Sequence, residues 1–282
     1  MTREIADLGR LEGDILIYGG PYSNLQATEA LLAEADRRGI PPGRRICTGD
    51  VVAYCADPLP TLALVRAEGG TVVAGNTERQ LASDAEDCGC GFESGSACDL
   101  LSRGWYPHAR ARVAADPGAR TWLGGCPDIA VFTLGPRRAA VIHGGVTDIA
   151  RFLWPSSPEA DFTAELEALQ AVAGPVDMVI AGHCGLAFHR RIGAVDWLNA
   201  GVIGMPANNG TPETRYLVLS GEGAEIAALS YDHAAAADAM RAAGLRQGYD
   251  RALETGWWPS QDILPPELRQ ASPRGDAPAP AT

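Results

Sequence analysis

Short apolar runs alternate along the chain with segments that have the spacing of amphipathic helices. The apolar runs predict strands, and two of the longer runs predict strand pairs joined by a tight turn. Single strands are predicted in DILIYGG, RRICTGDVV, TVVAGN and DMVIAGH, and strand pairs in IAVFTLGPRRAAVIHGG and TRYLVLSGEGAEIAALSY. The alternation of these strands with helical segments predicts an α/β protein.

Capping and breaking residues indicate where the helices begin and end. Ser23 or Asn24 is predicted to cap the first helix, which extends to about Arg38 and ends at Gly39. Asp57 with Pro58 is predicted to start a second helix that the pair Gly69 and Gly70 stops. Further helices are predicted at 158–172 and 233–256, the latter broken at Gly244.

The composition is that of an ordinary globular protein, with 46% hydrophobic and 21% charged residues in a chain of 282. The net charge is −12, which argues against a general nucleic-acid binder because phosphate contacts need a basic surface. No apolar run approaches the roughly 18–20 residues that a membrane helix needs. The charged N-terminal segment lacks the apolar core of a signal peptide, so we expect a cytoplasmic location.

One domain is expected over residues 1–264, since there is no internal repeat and no clear linker. The segment 265–282 is rich in proline, alanine and charged residues, and we expect it to be a disordered tail.

The seven cysteines do not suggest a disulfide framework, because their number is odd and a signal peptide is lacking. Most are expected to be reduced and buried. Cys88, Cys90 and Cys98 differ because they cluster in one glycine-rich segment and offer three thiolates to a metal ion. Structural zinc usually takes four ligands, so a tight loop with incidental thiols is the competing interpretation.

Four strand-end motifs each carry one side chain that is able to bind a metal ion. Asp50, Asn76, His143 and His183 each follow a predicted strand and each adjoin a glycine. Ligands collect beyond the carboxyl ends of strands in α/β sheets, so these residues are expected to meet. Two imidazoles, one carboxylate and one amide oxygen suit Mn, Zn or Fe.

The turn GGPYSN joins the first predicted strand to the first helix. Free backbone N–H groups at a helix N-terminus attract anions, which makes Gly20, Tyr22, Ser23 and Asn24 weak candidates for phosphate binding. A glycine-rich turn followed by a helix cap explains the same residues without a ligand.

The order GD, GN, HG and GH resembles the calcineurin-like metallophosphoesterase superfamily, in particular its small bacterial phosphodiesterases. The resemblance extends from about Asp14 to Tyr231. It implies a four-layer α/β/β/α sandwich with two metal ions bridged by an aspartate, whose position here is Asp50. It further implies that Asn76, His143 and His183 complete one metal site. Hydrolysis of a small phosphoester by one or two ions per chain, with Asp50, His143 and His183 as catalytic residues, is the implied activity.

The chain departs from the family's motifs at four positions. The first motif normally supplies an Asp and a His, and Gly20 and Tyr22 stand at those positions. The last motif normally ends in a second His, which is Gly185 here. The His that normally follows the Asn is Thr77, itself followed by Glu78. Three of these losses fall on the same one of the two metal sites.

Three interpretations follow. The protein is an enzyme with one metal ion; or it has rebuilt the second site from other side chains; or it binds a phosphorylated ligand or partner without turnover. The candidates for a rebuilt site are Tyr22, His189, Cys184 and the loop with Cys88, Cys90 and Cys98.

Overall fold

Two β-sheets packed face to face form the centre of the protein in a computed structural model that describes residues 3–271. One sheet has six strands, in the order β1 (Ile5–Leu11), β5 (Ile129–Leu134), β6 (Arg137–Val141), β7 (Met178–Ala181), β9 (Val195–Asn199) and β8 (Phe188–Ile192). The other has five, in the order β11 (Gly223–Leu229), β10 (Thr214–Ser220), β2 (Ile15–Tyr18), β3 (Arg45–Cys47) and β4 (Thr71–Val72). Strands β2, β3 and β4 are parallel to one another, as are β6, β7 and β9.

The helices cover the outer faces of the two sheets. They are α1 (Leu25–Arg37), α2 (Pro58–Glu68), α3 (Asn76–Ser83), α4 (Ala97–Ala114), α5 (Pro117–Gly124), α6 (Glu159–Ala173), α7 (His233–Ala242) and α8 (Tyr249–Thr255). Short 3-10 helices lie at Pro42–Arg44 and Pro266–Leu268. No helix within residues 3–271 is both long enough and apolar enough to cross a bilayer.

Three apolar clusters separate the layers. Ile17, Ile46 and Leu217 of the five-stranded sheet pack with Phe132 and Ile180 of the six-stranded sheet in the central cluster. A second cluster lies between the five-stranded sheet and its helices, and a third lies between the six-stranded sheet and α6. The resulting α/β/β/α order confirms the predicted sandwich.

Local capping explains why the predicted helices form. The Asn24 side chain accepts the Ala27 N–H at 3.0 Å, and α1 ends at Arg37, two residues before Gly39, whose φ is +68°. Helix α2 starts at Pro58 and is capped by Gly69, as predicted. The segment 233–256 forms two helices, α7 and α8, with Gly244 between them.

Several elements were not predicted from the sequence. The charged segment Ile5–Leu11 is a strand that pairs in parallel with β5 at the edge of its sheet. Helices α4 and α5 and the strand pair of β8 and β9 were not predicted. Strand β1 is only half-buried, so it lacks the apolar run that identifies a central strand.

The predicted tail falls mainly outside the described residues. Residues 265–271 are described and include a 3-10 turn, whose Leu268 packs against the outer cluster of the six-stranded sheet. Residues 272–282 lie outside the described residues. The domain boundary at residue 264 stays a prediction.

Candidate metal centre

The four strand-end residues meet where the carboxyl ends of strands from both sheets converge. Asp50 follows β3, Asn76 begins the helix after β4, His143 follows β6 and His183 follows β7. All four are buried, with 1–7% of their surface exposed. The topology therefore assembles them from segments that are far apart in the sequence.

Glycines allow the backbone to come this close. A Cβ on Gly182, which precedes His183, would overlap the Thr48 hydroxyl on the opposite sheet. A Cβ on Gly75, which precedes Asn76, would overlap the Asp50 carboxylate. Glycine is therefore required sterically at both positions.

His143 lies at the middle of the group. Its Nε2 atom is 2.9 Å from His183 Nδ1, 3.0 Å from Asn76 Oδ1 and 3.4 Å from Asp50 Oδ2. Its Nδ1 atom donates to the Thr48 carbonyl oxygen at 2.7 Å. This hydrogen bond fixes the imidazole tautomer, because a neutral ring carries a single N–H.

These distances indicate a site for a cation. With its proton on Nδ1, neutral His143 presents a lone pair at Nε2 to two further acceptor oxygens. A metal ion among these atoms, or a proton on one of the two rings, would stabilise this convergence. His183 Nε2 is also buried without a hydrogen-bond partner among the described residues. Ligand atoms of Asp50, His143 and His183 all lie within 4.8 Å of one another, so the residues fit a divalent metal ion.

The electrostatics define the charges of Asp50 and His183. Burial alone would raise the pKa of Asp50, but the neighbouring His143 outweighs burial and lowers it. Burial opposes protonation of His143 as well, yet the Asp50 carboxylate raises the pKa of His143. Burial, reinforced by His143, lowers the pKa of His183 to about 3. Asp50 is therefore anionic and His183 neutral, the forms that bind metal ions.

Comparison with known proteins reveals a shared fold at low sequence identity. A hypothetical protein from Pyrococcus horikoshii OT3 superposes with a TM-score of 0.68 at 15% identity, over 86% of this chain and 98% of that protein. A metallophosphoesterase from Sphaerobacter thermophilus superposes with a TM-score of 0.63 at 19% identity, over 87% of this chain and 100% of the other. No protein-family model and no curated protein sequence matches the chain.

The chain has the calcineurin-like metallophosphoesterase fold. In this fold the four strand-end motifs lie together at the carboxyl ends of their strands. The motifs differ from those of the family in one half of the site, at Gly20, Tyr22 and Gly185.

The Tyr22 ring occupies the space beside Gly20 in this half of the site. A Cβ on Gly20 would lie 2.6 Å from Cε1 and Cζ of the Tyr22 ring and 2.8 Å from Val202 Cγ1. The ring of Trp258 lies over Gly185, 3.7 Å from the position of a Cβ there. Two aromatic rings therefore lie where the metallophosphoesterase motifs would place an aspartate and a histidine.

The remaining turn residues are engaged by the protein itself. The Asn24 side chain caps α1 and donates to the Gly204 carbonyl oxygen at 3.1 Å. Ser23 is fully buried; its backbone N–H donates to the Val51 carbonyl oxygen at 2.9 Å, and its hydroxyl has no hydrogen-bond partner among the described residues. Their phosphate-binding role stays a prediction, and the contacts favour the interpretation as turn and cap.

One pair of cysteines is oxidised, whereas most of the cysteines are expected to be reduced. Cys88 and Cys90 are joined by a disulfide, a form in which neither sulphur is a thiolate, and metal binding by this loop stays a prediction. Gly89 between them has a φ of +61°, which allows so short a loop. The other five cysteines are free and buried, as expected.

No cysteine sulphur belongs to the metal-ligand group found among the described residues. Cys184 accepts a hydrogen bond from Asn199 Nδ2 at 3.2 Å, and burial raises the pKa of its thiol to about 12. Cys98 is likewise buried with a raised pKa. His189 lies on the surface and pairs with Asp196 at 2.9 Å. Metal ligation by these three side chains stays a prediction without support from the contacts.

Two residues that support the centre were not recognised from the sequence. The Thr77 hydroxyl donates to Asp50 Oδ1 at 3.0 Å. The Glu78 carboxylate accepts the backbone N–H groups of Asp50, Val51 and Gly75 at 2.7–2.8 Å. Part of the signal was present, because Glu78 stands three residues after the N-cap Gly75 and accepts its N–H, as the glutamate of a capping box does.

The Cys88–Cys90 loop also orients Asn76. Asn76 Nδ2 donates to the Cys88 carbonyl oxygen at 2.9 Å and contacts Cys90 Sγ at 3.4 Å. Its Oδ1 atom therefore faces His143 and is available to a metal ion.

A cavity of about 70 Å³ opens beside the centre. Asp50 and His183 lie at its wall, and most of its other lining is aromatic or aliphatic. The principal apolar lining residues are Tyr22, Tyr54, Phe152, Trp154, Met205 and Trp258. A buried group of potential metal ligands beside a concave apolar pocket is a typical arrangement of an active site.

Proposed function

We propose that this protein hydrolyses phosphoric esters with one divalent metal ion held by Asp50, Asn76, His143 and His183. The proposal rests above all on one observation, the convergence of ligand atoms from Asp50, Asn76 and His183 on Nε2 of His143. The fold supports the reaction class, since the superposed Sphaerobacter protein is a metallophosphoesterase.

Each residue has a definable task in this proposal. A bound divalent ion polarises a phosphoryl oxygen and lowers the pKa of water. Thr48 keeps His143 in the tautomer that offers Nε2, and Thr77 holds the Asp50 carboxylate in place. The Phe152 ring packs 4.3 Å from the His183 ring, between centroids, and limits the access of water on that side.

Metal content is the direct test. Protein purified without chelator should contain one Mn, Zn or Fe ion per chain by mass spectrometry, since the ligands form one complete set. The loaded protein should release p-nitrophenol from bis(p-nitrophenyl) phosphate. His183→Ala and Asp50→Asn should lose the ion, and the rate should fall by about 100-fold or more.

His189→Ala is the matched control, because this exposed histidine contacts Asp196 rather than the centre. It should retain both metal and activity. A folded Asp50→Asn variant, checked by circular dichroism, that kept its ion would contradict the assignment of the site.

A non-catalytic binding protein on the same scaffold is the second candidate. The Tyr22 ring over Gly20 favours it, because it removes the second metal half-site. That candidate predicts a bound ion and no turnover of monoesters or diesters with Mn, Zn or Fe.

A further inference from the structure

The cavity beside the metal centre has an unusual chemistry for a phosphoesterase. Asp50 is the one acidic residue among the described residues that line it, and no arginine lies there. The chain contains no lysine at all. A phosphorylated ligand therefore has only the metal ion and neutral donors to balance its charge.

The charge balance favours a ligand with one negative charge. A divalent ion with the Asp50 carboxylate leaves one net positive charge at the centre. A phosphodiester carries one negative charge, whereas a monoester carries nearly two at pH 7 because its second pKa is about 6. The second charge of a monoester would enter an apolar cavity without a counter-charge, which is costly.

The shape and lining favour an apolar group. The volume of the cavity is about 70 Å³, and one water molecule needs roughly 10–15 Å³ by the same measure. The Tyr22 and Tyr54 rings pack edge to face at 4.7 Å, and the Phe152 and Trp154 rings stack at 5.2 Å. Such walls gain most from contact with another ring or with an alkyl chain.

We propose that this cavity receives an apolar, ring-bearing ester group of a phosphodiester whose phosphoryl group lies at the metal centre. The inference rests on the proposed function and specifies its substrate class. Hydrolysis adds water across one P–O ester bond. The water oxygen joins phosphorus, one proton goes to the departing ester oxygen, and the products are an alcohol or phenol and a phosphomonoester.

Binding of non-hydrolysed analogues tests the inference apart from turnover. Titration calorimetry on the metal-loaded protein would compare methylphenylphosphinate, dimethylphosphinate and phenylphosphonate, none of which has an ester bond. The first two are monoanions that differ in the apolar arm, and the third carries the ring with a higher charge. We expect methylphenylphosphinate to bind about tenfold more tightly than either of the others.

Variants of the cavity wall locate the effect. Trp258→Ala should remove most of the preference for phenyl over methyl. Trp257→Ala is the matched control, since this neighbouring tryptophan packs over Gly210 rather than lining the cavity. Because Trp258→Ala also removes a side chain that packs against the core, Met205→Gln is a second test that keeps the size of the side chain and makes the wall polar.

The outcomes separate the two proposals. Equal affinity for the phenyl and methyl monoanions, or tighter binding of phenylphosphonate, would overturn the inference. Selective phenyl binding without hydrolysis of any diester would overturn the proposed function and leave the inference standing. Hydrolysis of diesters without selective binding of the phenyl analogue would do the reverse.

Discussion

The Glu78 carboxylate accepts the backbone N–H of Asp50 at 2.7 Å and so holds this residue at a φ of +58°. That backbone conformation is uncommon for a residue other than glycine. The same carboxylate accepts two further buried N–H groups, from Val51 and Gly75. Glu78 thus stabilises the conformation from which Asp50 reaches the centre.

Glu78→Ala should therefore destabilise the protein markedly. Three buried N–H groups would lose their acceptor, and the expected loss is about 3 kcal/mol in the free energy of unfolding. Urea denaturation would measure it. Glu167→Ala, on the exposed face of α6, should change stability by less than about 0.5 kcal/mol. Similar stability of the two variants would show that the loop holds Asp50 without Glu78.

Thr77→Val should weaken metal binding while keeping the fold. The change removes the hydroxyl that donates to Asp50 Oδ1 and keeps the branched shape of the side chain. Loss of such a supporting hydrogen bond typically lowers metal affinity about 10–100-fold. Competition with a chromophoric chelator would measure the affinity. In the control Thr121→Val, the lost hydroxyl bonds only to the Pro117 carbonyl oxygen on α5, and affinity should not change.

Gly20→Asp should not restore a second metal ion. Its Cβ would lie 2.6 Å from two carbons of the Tyr22 ring, and the backbone φ of +36° is itself unfavourable for a side chain. We expect a loss of about 2 kcal/mol in stability and an unchanged metal content. Gly43→Asp provides the comparison, because that position has open space around it. Two ions per chain in Gly20→Asp would mean that Tyr22 moves aside readily.

Glu34 should make part of the stability depend on pH. Hydrogen bonds from Arg37, together with Arg38 and the Tyr216 hydroxyl, lower the pKa of Glu34 from 4.5 to about 2. A carboxyl with a lowered pKa in the folded state stabilises the protein fully above pH 4.5. That contribution is lost as the pH falls from 4.5 through about 2.

Glu34→Gln tests this, since it removes the titrating group. The variant should be less stable than the wild type by about 1 kcal/mol at pH 7, and by much less near pH 2, in urea unfolding. Glu29→Gln on the exposed side of α1 should show no such pH-dependent difference. A gap between Glu34→Gln and wild type that stays constant with pH would contradict the mechanism.

The sequence predicted most of the architecture because the decisive signals are local. Buried strands such as β2 and β7 are continuous apolar runs, and helices such as α1 carry their caps with them. Strand β1 was not predicted, because an edge strand with one exposed face has no continuous apolar run. Helix α4 contains Pro107 and follows the cysteine loop, and both features obscured its pattern.

The metal centre was partly foreseeable for a similar reason. Parallel strands bring their carboxyl ends to one edge of a sheet, which places Asp50 near Asn76 and His143 near His183. The supporting contacts were not foreseeable from the same pattern. That Tyr22 lies over Gly20, and Trp258 over Gly185, depends on how distant segments pack, which no local spacing encodes.

The cavity wall joins Tyr22, from the first strand–helix turn, with Trp258, from the segment that follows the last α-helix. During synthesis the early part of the chain can form its strands while this tryptophan is still inside the ribosome. The pocket therefore closes only after residue 258 has emerged. A nascent chain halted before residue 258 would carry all four proposed metal ligands but no closed pocket beside them.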